Sequence, residues 1–271
     1  MYFVDIYQRV EHINAPKIEI GKSVLGRSIY ALKVGEGRPT GLVQYAIHGR
    51  EFITARLAME HCKIGVAKGS CYFIPLVNPD GALLAEQGLL SVLDESKREE
   101  LLSLNGSADF RLWKANANGV DLNVNFPARW GKGVKNTRTA GAENYIGEKP
   151  FSEPETLALK TFTLQVRPDY TVSYHTKGEE IYWYFYQSIR TCPRDKRLAE
   201  VLSRATGYPL AEAKGSAGGY KDWCIQRLKI PSFTIEAGRD RYSHPLGEEA
   251  LKDIIEKNRY AIYNLSKELN E

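Results

Sequence analysis

The sequence lacks most of the features that would assign it to a specialised class. Its four cysteines, Cys62, Cys71, Cys192 and Cys224, form no Cys-x-x-Cys pair, which argues against a zinc ribbon; a few buried thiols in a cytoplasmic protein are expected instead. No apolar run approaches the ~20 residues that a membrane span requires; the longest, such as CYFIPLV, are strand-sized. The net charge of +4 comes without a dense Lys/Arg block, so neither a nucleic-acid nor a membrane partner is expected. Low-complexity tracts, Pro-rich linkers and repeats are missing as well. The opening MYFVDIYQRVEHINAPKIEIGKS has no basic segment followed by an apolar one, so no secretory leader is read there and a cytoplasmic location is expected.

What is present is globular. With 271 residues, 43% apolar and 26% charged, the chain can bury a substantial core, and it reads as one domain over 1–271. SIYALKVG, GLVQYAIHG and SCYFIPLVNPDG read as strands ending in turn residues, with Asn78-Pro79-Asp80-Gly81 as a turn. YTVSYH and SFTIEAG are buried-strand candidates rich in β-branched and aromatic residues. Between the second and third strands, Leu57, Met59, Cys62 and Ile64 suit a helix packed on a sheet. SEPETLALKTFTLQ opens with a Ser152–Glu155 capping box and Pro154 in the first turn. Leu246, Leu251, Ile254, Ile255, Ile262 and Leu265 mark one amphipathic helix at the end of the chain. This alternation predicts a three-layer α/β sandwich whose mixed, largely parallel twisted sheet is flanked by helices.

Polar residues suited to chemistry cluster at the ends of those strands. His48 and Glu51 lie in AIHGREFIT, His175 ends TVSYH and Glu236 ends SFTIE. Ligands of open α/β sheets bind beyond the carboxyl ends of strands. Two imidazoles and one carboxylate are the donor set of a catalytic zinc site with its fourth position open to water. In a turn after a strand, the three-residue spacing of His48 and Glu51 lets both side chains reach one ion, and Gly49 allows an unusual backbone there. Glu236 then has the chemistry of a base acting on that water. His12, His61 and His244 carry no such pattern and read as surface or packing residues.

The segments around these residues carry a resemblance. GKSVLGRSIYALKVG, IHGREFIT, PLVNPDG, RLWKANANGVDLNVNFPARW, SYHTKGEEIYW, GGYKDW and FTIEAG, in that order, resemble the zinc carboxypeptidase family. WKANANGVDLN, NFPARW, GGYKDW and FTIEAGRDRYSHPL look closest to its bacterial branch of γ-D-glutamyl-L-diamino acid peptidases. The resemblance implies one Zn2+ per chain held by His48, Glu51 and His175, with Glu236 as general base and acid. It places Lys114 where the family has an oxyanion-binding arginine; lysine brings charge but no guanidinium fork. Arg50 matches a family substrate-binding arginine. Asp121 is expected to organise its loop or to bond a zinc-bound histidine.

One departure matters. In Asp121-Leu122-Asn123-Val124-Asn125, Val124 occupies the position of the arginine that clamps a substrate's terminal carboxylate. Asn123 can still donate hydrogen bonds to substrate. Either ordinary C-terminal exopeptidase action is not expected or another cation is required, for which Arg129, Arg138, Lys177, Lys214, Lys221 and Arg239 are the candidates. Lys221, beside the expected specificity pocket, suits an acidic group such as the extra carboxylate of diaminopimelate. Tyr182 and Trp183 are candidates for a pocket wall, and Glu179 and Glu180 read as a solvated loop. The expected activity is hydrolysis of an amide bond in a small acidic muropeptide, the γ-D-glutamyl–diaminopimelate bond first. The rival readings are a conventional carboxypeptidase or aminoacylase-like amidohydrolase on the same fold, and an inactive zinc-containing peptide-binding protein.

Overall fold

The computed structural model describes residues 5–13, 16–212 and 215–269; Lys214, one of the candidate cations, lies outside them. Among the described residues the strands are β1 (Lys17–Lys22), β2 (Ser28–Gly35), β3 (Thr40–Tyr45), β4 (Ser70–Ile74), β5 (Tyr170–His175), β6 (Glu180–Tyr182), β7 (Leu210–Ala211) and β8 (Ser232–Glu236). They form one sheet in the order β1-β2-β4-β3-β5-β8-β6-β7. The four central strands, β4-β3-β5-β8, run parallel. Antiparallel pairs flank them on both sides. The helices are α1 (Ile6–Glu11), α2 (Thr54–Ile64), α3 (Pro79–Gln87), α4 (Glu95–Asn105), α5 (Pro154–Val166), α6 (Cys192–Thr206), α7 (Tyr220–Trp223), α8 (Glu248–Asn258) and α9 (Ala261–Lys267).

Side-chain alternation along the strands feeds two cores. Val43, Tyr45, Val172, Tyr174, Phe233 and Ile235 pack with residues of α2, α6, α8 and α9. Leu42, Ile29 and Ala31 face the other way, against Ala158, Leu159 and Phe162 of α5 and Tyr220 and Trp223 of α7. Every residue of β3 and β5 is buried, as expected of central strands covered on both faces. The three-layer architecture read from the sequence is therefore the one observed.

Three local expectations are corrected. Asn78-Pro79-Asp80-Gly81 is not a free turn but the start of α3, with Asn78 Oδ1 accepting from the Gly81 N–H at 2.9 Å and Pro79 in the first turn. The Ser152–Glu155 capping box does not form. Glu153 is the N-cap without a side-chain bond, Ser152 Oγ donates to Glu153 Oε1 at 2.7 Å, and Glu155 accepts from the Val24 N–H and from Asn116. The adjacent Glu153 takes the serine, and Val24 and Asn116, distant in sequence, take the glutamate, so the local motif is outcompeted. The terminal helix is two helices, α8 and α9; the Asn258 carbonyl at the end of α8 is engaged by His61 Nε2 at 2.9 Å.

Glu155 supplies a prediction. Burial, and then the nearby Asp80 charge, push its carboxyl up to about 8, against hydrogen bonds that pull it down. The folded state thus holds a proton that the unfolded chain has released between its ordinary value of 4.5 and about 8. Stability from this group is complete below the lower value and is lost as pH rises through the upper one. Thermal melts of wild type and Glu155→Gln should diverge across that window, with wild type losing more Tm toward alkaline pH.

Candidate metal centre

The site is built where β3, β5 and β8 end side by side. His175 closes β5 and is the register partner of Glu236 at the end of β8. After β3 the chain turns at Ala46, whose φ is 49°, and carries His48 to the mouth of the sheet. A single helical turn, Gly49–Glu51, then brings Glu51 back beside it. This turn is pinned from two sides. The Gly49 and Arg50 N–H groups donate to the Lys114 and Trp113 carbonyls at 3.0 and 2.8 Å, and Asn78 Nδ2 donates to the carbonyls of Ile47 and Ala115. A Cβ at Gly49 would lie 2.4 Å from the Gly81 oxygen and 2.8 Å from that of Trp113. Only glycine permits so close a crossing of backbones.

His48, Glu51 and His175 are all buried, and their ligand atoms lie within 4.8 Å of one another. Glu51 Oε1 is 2.9 Å from His48 Nδ1, and Oε2 is 3.0 Å from His175 Nδ1. The two Nδ1 atoms are themselves 3.1 Å apart. Two ring nitrogens and a carboxylate thus point at one place. The electrostatics favour positive charge there. Burial lowers the proton affinity of His48, but Glu51 and then Asp121 raise it beyond its ordinary value. Burial raises Glu51, yet the two histidines hold it well below the usual carboxylate range. A buried set of two nitrogens and one oxygen around such a point fits a zinc ion.

The surrounding groups support this arrangement. His48 Nε2 lies 3.2 Å from Asp121 Oδ1, a charge contact rather than an aligned hydrogen bond. Asp121 Oδ2 is 2.8 Å from Lys114 Nζ. Asp121 also accepts from the Asn123 and Asn144 N–H groups; burial would raise it, but Lys114 and His48 hold it far below its ordinary value. Glu236 is half-buried. Burial pushes its carboxyl up to about 7, with Glu51 and Glu180 adding to the rise and His175 and Lys114 opposing it.

A cavity of about 330 Å³ opens beside these residues, lined by His48, Lys114, Asp121, Asn123, Val124, Tyr182, Lys221, Asp222 and Glu236 among others. Arg50 reaches the Leu112 carbonyl and lies 3.4 Å from Glu143, outside the cavity lining. Asn123 gives its side-chain oxygen to the Tyr220 N–H at 3.1 Å, which leaves its amide N–H groups for a ligand. Most of the other candidate cations are engaged elsewhere. Arg129 and Arg138 stack on Tyr186 and Trp130, Lys177 bonds Asp240, and Arg239 pairs with Asp253 at 2.9 Å. Lys135, which no motif in the sequence singled out, does line the cavity. Tyr182 forms wall while Trp183 sits in the core. Glu179 and Glu180 are not a solvated loop: Glu179 is 2.6 Å from Lys257, and Glu180 lies in β6 and accepts from the Tyr182 hydroxyl.

Comparison with known proteins agrees with this geometry. A profile of the family described as zinc carboxypeptidase matches residues 12–261. The γ-D-glutamyl-L-diamino acid endopeptidase 1 of Lysinibacillus sphaericus is 33% identical over 249 residues, 84% of this chain and 62% of that protein; the chain thus spans about three fifths of its length. Murein peptide amidase A of Escherichia coli (strain K12) is 30% identical over 229 residues, covering 80% of this chain and 78% of the relative. The crystal structure of murein-tripeptide amidase MpaA from Escherichia coli O157 superposes with a TM-score of 0.63 at 26% identity, covering 97% of both chains.

Proposed function

The chain belongs to the zinc carboxypeptidase family, and on that premise we propose that it is a zinc metallopeptidase that cleaves the γ-D-glutamyl–diaminopimelate amide bond of peptidoglycan-derived peptides. One observation carries the choice of bond. Val124 lines the cavity where a carboxypeptidase needs an arginine, so a lone terminal carboxylate has no bidentate clamp there. One relative is named for a γ-D-glutamyl-L-diamino acid endopeptidase activity and the other as a murein peptide amidase, which supports the same reading.

In this reading His48, Glu51 and His175 would hold one zinc ion, which would supply Lewis acidity to the scissile carbonyl and to an attacking water, bringing the pKa of the latter to about 7. Glu236, in register with His175 across the β5–β8 pair, takes a proton from the attacking water and returns it to the leaving amine. Lys114 stabilises the oxyanion as a positive point charge, held in place by Asp121 at 2.8 Å. Asn123 orients the substrate through its free amide N–H groups. Asp121 fixes the ring of His48 through the contact at Nε2. Asp121→Asn should therefore weaken zinc affinity by about 10–100-fold, measured by competition with a chelator.

The decisive assay is mass spectrometry of L-Ala-γ-D-Glu-meso-diaminopimelate after incubation with zinc-loaded protein. Release of free diaminopimelate that stops on chelation is the expected result. An intact tripeptide beside a hydrolysed conventional C-terminal peptide would replace this reading with that of an ordinary carboxypeptidase.

A further inference from the structure

Lys221 and Asp222 form a charge pair in the cavity wall that the reaction above does not use. Both line the cavity and are only 5% and 3% exposed, and Lys221 Nζ lies 2.6 Å from Asp222 Oδ1. The lysine is thus not a free cation awaiting an acidic group, as the sequence alone suggested. Its ammonium also reaches the Tyr184 carbonyl at 3.3 Å and sits 5.3 Å from the centre of the Phe185 ring. Asp222 Oδ2 accepts from the Gly219 N–H at 3.2 Å. After these bonds the ammonium keeps one N–H, and each carboxylate oxygen keeps a lone pair. A buried ion pair contributes little net stability, because desolvation offsets its attraction. Asp222 caps the start of α7 through the Gly219 N–H, but that bond occupies one oxygen and does not require a lysine to be buried beside it in the cavity wall.

We propose that Lys221 and Asp222 together recognise a zwitterionic amino-acid terminus on the substrate side chain, its carboxylate facing Lys221 and its ammonium facing Asp222. The proposal rests on the peptidoglycan reading and adds what selects the diamino acid. With such a terminus the four charges alternate around the contact, and every neighbour is attractive. A side chain ending in one charge meets attraction from one member of the pair and repulsion from the other. Lysine, with an ammonium alone, is disfavoured in this way, and diaminopimelate, with both groups on its distal carbon, is accepted. The selectivity arises as much from the repulsive partner as from the attractive one.

The test uses the zinc-loaded protein in two arms. In the first, kcat/KM is measured on L-Ala-γ-D-Glu-X with X as meso-diaminopimelate, lysine or norleucine. Wild type should prefer diaminopimelate over lysine by about tenfold or more, the worth of a charge-assisted hydrogen bond. Lys221→Met should bring that ratio within about threefold by admitting lysine to the unpaired Asp222, and Asp222→Asn should raise KM for diaminopimelate while kcat holds. In the second arm, calorimetry compares binding of meso-diaminopimelate and lysine, each acetylated on the amino group that would form the peptide bond so that only diaminopimelate keeps a zwitterionic terminus, and the same preference is expected. Equal treatment of the two amino acids by wild type in both arms overturns the proposal. So does a uniform fall for all three peptides in both variants with the ratios kept, the mark of a purely structural pair. Selective diaminopimelate binding without cleavage of any tripeptide would leave the pair's role standing and remove the proposed scissile bond instead.

Discussion

Glu236→Gln is expected to lower kcat by about 10²–10⁴-fold while zinc content and KM stay near wild type, because it removes proton transfer and nothing else. The side chain is isosteric, and Glu236 is not among the three grouped metal-ligand candidates. Burial holds its carboxyl at about 7, the region where a group can accept a proton and give it back at neutral pH; the charge of a bound zinc draws it down from there. Glutamine neither accepts that proton nor delivers one to the leaving amine. The measurement is steady-state kinetics on a cleaved peptide with metal analysis of the same preparations. A variant retaining more than about a tenth of wild-type kcat would remove Glu236 from the reaction.

The four residues at the centre of that prediction were legible because strand ends, not helix faces, carry them. β5 and β8 are short apolar runs closed by His175 and Glu236, and β3 ends at Tyr45 with His48 and Glu51 in the turn just beyond it, so the change from apolar to polar marks both the strand boundary and the candidate site. The central helices were legible for the same periodic reason. What escaped was of two kinds. α6 and α4 could have been found from their ends: Pro193 and Gly207 bracket the first, and Asp94 and Gly106 the second. The long connection from 107 to 153 could not, because side-chain hydrogen bonds rather than periodic packing hold it. Asn116 Nδ2 donates to Glu153 and Glu155, and Asn125 Nδ2 reaches the carbonyls of Ile146 and Lys149. Such partners are far apart in sequence, and no local pattern announces them. The same gap explains Lys135, a cavity residue in that connection, and the pairing of Lys221, whose partner is its immediate neighbour but whose burial depends on Tyr184 and Phe185.

His175→Ala should abolish stoichiometric zinc binding, and a matched substitution at His61 should not. Both histidines are buried, at 2% and 1% exposure, so burial alone does not separate a ligand from a packing residue. Their bonding does. His61 has both ring nitrogens engaged, with Tyr45 Oη at 2.6 Å and the Asn258 carbonyl at 2.9 Å, and burial pulls its pKa down to about 4. It is a neutral strut between the end of α8 and the core. His175 instead shares its Nδ1 with a carboxylate and a second imidazole nitrogen, and its Nε2 has no partner among the described residues. Removing it leaves one nitrogen and one carboxylate, too few donors for a stable zinc site. Metal analysis after dialysis should then give near one zinc per chain for wild type and His61→Gln, and close to none for His175→Ala. Melting curves should show the complementary pattern. Added zinc raises Tm for any chain whose folded state binds it, so wild type and His61→Gln should both respond, the latter from a lower starting Tm. His175→Ala should stay near the metal-free wild-type Tm at every zinc concentration. Zinc-dependent stabilisation of His175→Ala equal to that of wild type would place the metal elsewhere in the molecule and withdraw the assignment of all three ligands.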